Sequence, residues 1–156
     1  MLSRFSLIAQ RGHMFYGRLR KAITLGVSAA TVDGEGRVLL VKHTYRPGWH
    51  LPGSGVEPGE TCGEAIAREL MEEAGVAPAV PPRLFGIYFN RRVSRRHHIA
   101  VYVCDDWRQA DAPRIPNLEI ADRGFFLPDA LPADTGDGSR RRLAELLDGA
   151  RQSDEW

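Results

Sequence analysis

Three glutamates lie on one face of a predicted helix between residues 54 and 76. Glu69, Glu72 and Glu73 stand at i, i+3 and i+4, so a helix would project their carboxylates within about one turn of each other. Like charges at that spacing repel, and a divalent cation would neutralise them. Mg²⁺ commonly binds one or two protein carboxylates together with waters and phosphate oxygens. The spacing predicts a cation site for phosphoanhydride cleavage, with Mg²⁺ as the expected ion and Mn²⁺ as the alternative.

Local signals predict the loop and the helix that must position these carboxylates. Thr61 and Glu64 form a capping-box pattern, and Gly75 stands where a helix C-cap belongs, which predicts a helix from Cys62 to Ala74. The preceding run from Leu51 to Gly59 is rich in glycine and proline. These residues permit tight turns, so the backbone of the loop can approach a metal and a diphosphate closely.

The alternative for the acidic face is an ordinary solvated surface, on which Arg68 pairs with Glu72 at i, i+4. An isolated acidic helix would favour that interpretation. Here the turn-rich loop, Glu60 and Arg68 accompany the three glutamates at fixed offsets. The combination favours a metal site.

The segment from Ser54 to Val76 resembles the Nudix box, G-x5-E-x7-R-E-U-x-E-E-x-G-U, in which U is a large aliphatic residue. Eight of its nine specified positions match. The exception is Ser54, which occupies the opening glycine position between Gly53 and Gly55. Glycine takes a positive φ freely and serine does not, so the departure concerns the geometry of the loop. It leaves the carboxylates unchanged.

The resemblance implies an α/β fold, namely a Nudix-type α/β/α sandwich with a mixed central sheet. It also implies that Arg68 is an internal partner of Glu60 that joins the loop to the helix. Metal ions would be held by Glu69, Glu72, Glu73 and the carbonyl of Gly53, and the structural positions of the box would be Glu60, Arg68 and Gly75. The general base stays open among Glu72, Glu73 and Glu119, with Asp122 as the alternative to Glu119.

The implied activity is metal-dependent hydrolysis of a nucleoside diphosphate linked to another moiety, with an ADP-ribose-like or ADP-sugar-like substrate favoured. One alternative is a pyrophosphohydrolase of normal or oxidised nucleoside triphosphates. Another is a Nudix-like binding or regulatory domain without catalysis. Loss of catalysis usually removes metal carboxylates, whereas Glu69, Glu72 and Glu73 are all present.

Several residues outside the box are candidates for substrate binding. The segment 91–97 is strongly basic, and Arg92 and Arg95 could bind phosphate oxygens or could simply charge an exposed hairpin tip. His50 could line the pocket or serve as a framework histidine. The aromatic residues Trp49, Tyr88 and Phe89 could stack on a nucleobase or belong to the core.

Composition indicates one compact enzyme domain. The chain has 156 residues, of which 43% are hydrophobic and 26% charged. A formal charge of +1 predicts no strong nucleic-acid binding, and a small nucleotide is the expected partner. Two cysteines without zinc spacing, and no apolar run of membrane-spanning length, indicate a cytoplasmic protein.

The chain divides into three segments. Residues 1–21 contain five basic and no acidic side chains among apolar ones, which predicts a basic amphipathic segment. Such a segment could pack on the domain, form a homodimer contact or bind an anionic membrane, and the first two are favoured. Residues 22–150 form the predicted hydrolase domain, and residues 151–156 form a C-terminal tail.

Periodicity and turn residues predict the elements around the box. The turn Asp33 to Gly36 predicts a hairpin between the first two strands. Strands are predicted at residues 23–32, 37–44, 49–51, 83–90, 98–104 and 124–126, and a terminal helix at residues 139–147.

Overall fold

The structure is a computed structural model and describes residues 22–156. The predicted basic segment 1–21, with its packing, dimer and membrane alternatives, lies outside the described residues. The described elements are β1 (Thr24–Thr31), β2 (Val38–His43), β3 (Trp49–His50), α1 (Cys62–Ala74), β4 (Val76–Pro78), β5 (Arg83–Phe89), β6 (His97–Cys104), β7 (Trp107–Gln109), β8 (Ile120–Phe126), a 3₁₀ turn (Pro128–Ala130) and α2 (Asp137–Leu147). No helix among residues 22–156 is long and apolar enough to cross a membrane.

The strands form two three-stranded sheets and one short pair. In the order β1-β6-β5, β1 is parallel to β6 and β5 is antiparallel to it. In the order β3-β2-β8, all pairs are antiparallel, and β4 pairs with β7. The predicted mixed sheet and α/β class are confirmed.

The two helices cover opposite sides of the strands. Successive strand residues point to opposite faces, so adjacent positions report which helix each face meets. Ala29 of β1 packs in the cluster that contains Leu70 of α1, whereas its neighbour Ala30 packs in the cluster that contains Leu143 of α2. This alternation produces the layered sandwich and places the box helix directly against β1.

The predicted helix Cys62–Ala74 is confirmed, with its caps. Thr61 Oγ1 accepts a bond from the Glu64 amide at 3.2 Å, and the Glu64 carboxylate accepts one from the Thr61 amide at 2.8 Å. Gly75 ends the helix with a φ of 65° in the left-handed region, where glycine is favoured. The sequence therefore encodes both ends of the helix locally.

The prediction of a hairpin between β1 and β2 is right about the turn and wrong about the strand pairing. The amide of Gly36 donates to the carbonyl of Asp33 at 3.0 Å, so the chain reverses as expected. Beyond a single bridge between Val32 and Val38, however, the strands separate into different sheets. β1 pairs instead with β6 and β2 with β8, so strands distant in sequence supply the partners.

Candidate active site

The loop before α1 is bonded to β1 along its backbone. The amide of Ala29 donates to the carbonyl of Pro52 at 2.9 Å, and the amide of Val27 donates to the carbonyl of Ser54 at 2.8 Å. The loop thus runs beside the buried strand β1 and accepts backbone hydrogen bonds from it. Its position is therefore fixed relative to the helix that packs on the same strand.

Gly53 occupies a position that no other residue can take without strain. Its φ is 140°, and a Cβ there would lie 2.1 Å from the carbonyl oxygen of Val27. The close approach also aims the Gly53 amide at α1, where it donates to Glu73 Oε2 at 2.9 Å. Glycine therefore lets the loop contact both the strand and the box helix.

Glu73 is buried and contacts a histidine ring and a backbone amide. His43, at the end of β2, contacts Glu73 Oε1 through Nε2 at 2.8 Å, and Gly53 binds the other oxygen. Each carboxylate oxygen can accept a further bond or ligand. Hydrogen-bonded partners of this kind orient metal-binding carboxylates. His43 was not predicted from the sequence, although a histidine ending an apolar strand was a signal that could have found it.

Arg68 joins the loop to the helix. It binds Glu60 in a bidentate manner, from Nε to Oε1 at 2.9 Å and from Nη2 to Oε2 at 3.1 Å. Its Nη1 also donates to Glu69 at 2.6 Å and to Glu72 at 3.1 Å. The guanidinium thus binds three box carboxylates at once, and paired planar contacts of this type fix geometry as well as charge.

The donor set suits a hard divalent cation, although the side chains are not converged on one point. Among residues 22–156, no group of three or more His, Cys, Asp or Glu side chains is arranged to hold a metal ion as it stands. Glu69 and Glu73 are nonetheless buried carboxylates, and Glu72 is exposed beside them. Burial, with the charge of Glu73 added, raises the pKa of Glu69 to about 7. A bound cation would offset the free-energy cost of keeping Glu69 ionised while buried. Carboxylate and carbonyl oxygens are the preferred ligands of such a cation.

The raised pKa predicts that protons compete with metal at Glu69. A metal needs the ionised carboxylate, so the affinity of the substrate-free protein for Mn²⁺ should fall by roughly tenfold from about pH 8 to about pH 6. The measurement is a Mn²⁺ titration of the protein at both pH values, in which the signal of the free ion reports how much Mn²⁺ is unbound. Equal affinities at the two pH values would contradict this prediction.

A cavity of about 210 Å³ opens beside the box loop. Gly53 and His50 line it, and Asn90, His97 and Trp156 lie among its other lining residues. His50 Nε2 contacts the carbonyl oxygen of Pro47 at 2.8 Å, which fixes the ring. Burial lowers the pKa of His50, which favours the neutral ring. The structure therefore places His50 at a pocket that adjoins the box.

Arg46 supplies positive charge to the same cavity. Burial lowers the pKa of this guanidinium. Nearby negative charge, from Glu73 and from Tyr45 when it is ionised, raises the pKa in part. Arg46 is the one arginine or lysine among the described residues that line the cavity. It was not among the residues predicted from the sequence, because nothing in its local pattern distinguishes it from other loop arginines.

Glu119 lies on a loop tied to the end of β2. The amide of Thr44 donates to the carbonyl of Glu119 at 2.9 Å. The neighbouring Tyr45 has a pKa raised by burial first and then by the charges of Glu73, Glu119 and Glu69. The exposed Glu119 therefore acts electrostatically on the same region as the box carboxylates. Asp122, the alternative to Glu119 as general base, is exposed on β8 and accepts a hydrogen bond from the Arg123 amide at 2.8 Å.

Arg92 and Arg95 are exposed on the basic loop and do not line this cavity. Arg92 pairs with Asp137 at 3.1 Å and borders a separate cavity of about 570 Å³, together with Arg91 and Arg141. Substrate contact by Arg92 and Arg95 stays a prediction.

The aromatic residues considered for base stacking belong largely to packed regions. Trp49 packs edge-to-face on Phe126, with ring centroids 4.9 Å apart. Tyr88 is fully buried, and its hydroxyl donates to Glu145 at 3.0 Å. Tyr45 and Trp156 line the cavity together with the histidines His50 and His97. The sequence carried no recognisable signal for Tyr45 or Trp156.

Ser54 fits the loop without backbone strain. No residue other than glycine has a positive φ among residues 22–156, so Ser54 uses a conformation open to any side chain. We expect Ser54→Gly to retain activity within about twofold, with slightly weaker loop order from the added backbone freedom. Steady-state rates of the variant and the wild type measure this directly. Complete inactivation would reveal a chemical role for the hydroxyl.

Comparison with known proteins identifies the family. The model of the NUDIX domain matches residues 22–147, so the chain belongs to the Nudix family. A Bacillus subtilis (strain 168) protein, provisionally named 8-oxo-dGTP diphosphatase, is 34% identical over 129 residues, which cover 82% of this chain and 83% of that protein. Hydrolases of this family generally use divalent metal ions.

Two further similarities concern proteins with other named activities. Diphosphoinositol polyphosphate phosphohydrolase 2 of Rattus norvegicus is 43% identical over 85 residues, covering 50% of this chain and 46% of the relative. The chain thus spans about half the length of that relative. The crystal structure of an ADP-ribose pyrophosphatase from Streptococcus suis superposes with a TM-score of 0.64 at 25% identity, covering 85% of this chain and 96% of the other.

Proposed function

We propose that this protein is a cytoplasmic hydrolase of a nucleoside diphosphate linked to another moiety, with an ADP-ribose-like or ADP-sugar-like substrate favoured. The observation that carries the proposal is the cavity that joins the box loop at Gly53 to the lining residues His97 and Trp156. A diphosphate at the loop would place the rest of the substrate toward this cavity. The similarity to the ADP-ribose pyrophosphatase supports this assignment.

Glu69, Glu72, Glu73 and the Gly53 carbonyl would hold Mg²⁺ or Mn²⁺ in this proposal. When bound, the metal neutralises charge that develops on the phosphoryl oxygens and aligns the reacting groups. His43 holds Glu73 in position, and Arg68 holds Glu60 and Glu69. Neither of these two residues needs to touch the substrate in order to affect the rate.

The reaction forms one bond from a water oxygen to phosphorus and breaks one bridging phosphorus–oxygen bond, which yields two phosphate-bearing products. The proton of the water passes to a carboxylate. Both oxygens of Glu73 are already engaged, one by the Gly53 amide and the other by His43, so we assign Glu73 to holding the cation. Glu72 and Glu119 are exposed and stay the candidates for the general base.

A second candidate is hydrolysis of nucleoside triphosphates, including oxidised ones. The full-length similarity to the Bacillus subtilis protein favours it. The same box and cavity would serve, because the reacting group is again a phosphoanhydride. A binding or regulatory domain without catalysis is disfavoured, since all three metal-binding glutamates of the box are present.

A substrate panel tests the proposal. The purified protein is incubated with Mg²⁺ or Mn²⁺ and with ADP-ribose, an ADP-sugar, a dinucleoside polyphosphate, dGTP and 8-oxo-dGTP, and the products are separated by chromatography. The proposal predicts the fastest turnover of ADP-ribose or the ADP-sugar, with AMP as a product. Preferential release of pyrophosphate from the triphosphates would favour the second candidate, and no turnover of any substrate would contradict both.

A further inference from the structure

The segment 151–156 docks along the edge of β5. The amide of Phe89 donates to the carbonyl of Asp154 at 2.8 Å, and the amide of Trp156 donates to the carbonyl of Phe89 at 3.0 Å. Phe89 and Glu155 form a parallel bridge between these bonds. The segment thus extends the mixed sheet by one short, strand-like pairing.

A buried ion pair on α2 anchors the same segment. Arg142 and Glu145 are both buried, and Arg142 Nη2 donates to Glu145 Oε1 at 2.6 Å. Arg142 Nη1 donates to the carbonyl of Glu155 at 2.8 Å, and the amide of Ser153 donates to Glu145 Oε1 at 3.0 Å. Buried charges need such additional bonds, so the segment completes the environment of the pair.

Two glycines leave space for side chains of the segment. A Cβ at Gly138 of α2 would lie 2.2 Å from Trp156 Nε1, and a Cβ at Gly86 of β5 would lie 2.4 Å from Gln152 Nε2. Trp156 also meets Tyr88 edge-to-face, with ring centroids 6.4 Å apart. The indole therefore has a defined seat against α2 and β5.

This seat presents Trp156 to the cavity whose lining also includes Gly53. We propose that Trp156 determines substrate specificity by packing its indole against the base of the nucleotide while the box loop holds the diphosphate. Stacking of a base on an aromatic side chain is tolerant of base identity and favours substrates that carry a base. The inference rests on the proposed function and adds to it a residue outside the Nudix box.

Trp156→Ala is compared with wild type on ADP-ribose and on a diphosphoinositol polyphosphate, which has a phosphoanhydride but no aromatic base. We expect KM for ADP-ribose to rise about tenfold with kcat nearly unchanged, and the kinetics on the diphosphoinositol polyphosphate to be unchanged wherever wild type hydrolyses it. Trp156→Phe should keep most of the affinity. Asp154→Ala is the matched control, because Asp154 docks through its main-chain carbonyl.

Gly138→Ala provides a second perturbation, since its methyl group displaces the indole without removing it. We expect this variant to raise KM for ADP-ribose as well. The inference would be overturned if a folded Trp156→Ala variant had an unchanged KM for ADP-ribose. It would also be overturned if the variant lost affinity equally for ADP-ribose and for the diphosphoinositol polyphosphate. A wild type that hydrolyses the diphosphoinositol polyphosphate alone would overturn it as well. A wild type that hydrolyses neither these substrates nor the nucleotide panel would instead refute the proposed function.

Discussion

Glu73→Gln and Glu72→Gln should each lower kcat by at least about a hundredfold at saturating Mg²⁺, because each amide loses charge needed for the metal and the developing phosphoryl charge. The two variants should differ in stability. Glu73 is buried between the Gly53 amide and the His43 ring, so loss of its charge from these contacts should cost about 1–3 kcal/mol. Glu72 is largely exposed, so the Glu72→Gln variant should have a melting temperature close to that of wild type.

The matched control is Glu57→Gln, which changes an exposed carboxylate in the box loop outside the proposed ligand set. Its kcat and melting temperature should remain near those of wild type. Steady-state kinetics and thermal melts of the three variants separate loss of chemistry from loss of fold. Near-normal turnover in both Glu72→Gln and Glu73→Gln would reject the metal site.

Gly53→Ala should nearly abolish activity and destabilise the domain by about 3 kcal/mol or more. The added Cβ would lie 2.1 Å from the Val27 carbonyl oxygen, and a φ of 140° is strained for any other residue. The loop would have to leave β1, and its carbonyl would then leave the proposed ligand set. Denaturant unfolding and kcat measure the two effects.

Gly55→Ala is the control for this variant. Gly55 has no positive φ, and a Cβ there would meet nothing within 4 Å. We expect nearly wild-type stability and activity from it. Equal behaviour of the two alanine variants would show that the close approach at Gly53 is unimportant.

Those parts of the structure that depend on neighbouring residues were predictable from the sequence. The capping box at Thr61 and the glycine cap at Gly75 define both ends of α1 within a few residues of chain. The turn at Asp33 likewise forms as predicted. In each case the determining hydrogen bonds are local, so residue types and spacing carry the information.

Features that depend on distant contacts were not predictable. The pairing of β1 with β6 and the contact between His43 and Glu73 join residues far apart in sequence. The position of Trp156 depends on a seat built by Gly138 and Tyr88, neither of which has a distinctive local pattern. Strands β4 and β7 have three residues each, too few for periodicity to reveal them.

The central claim is that the box carboxylates hold a divalent metal on which hydrolysis depends. Its most direct test is the rate on the best substrate of the panel, measured after EDTA treatment and again after Mg²⁺ is restored, for wild type and Glu73→Gln. We predict no turnover by either protein without metal, and recovery by wild type alone. An unchanged wild-type rate in EDTA, or full recovery by Glu73→Gln, would contradict the account.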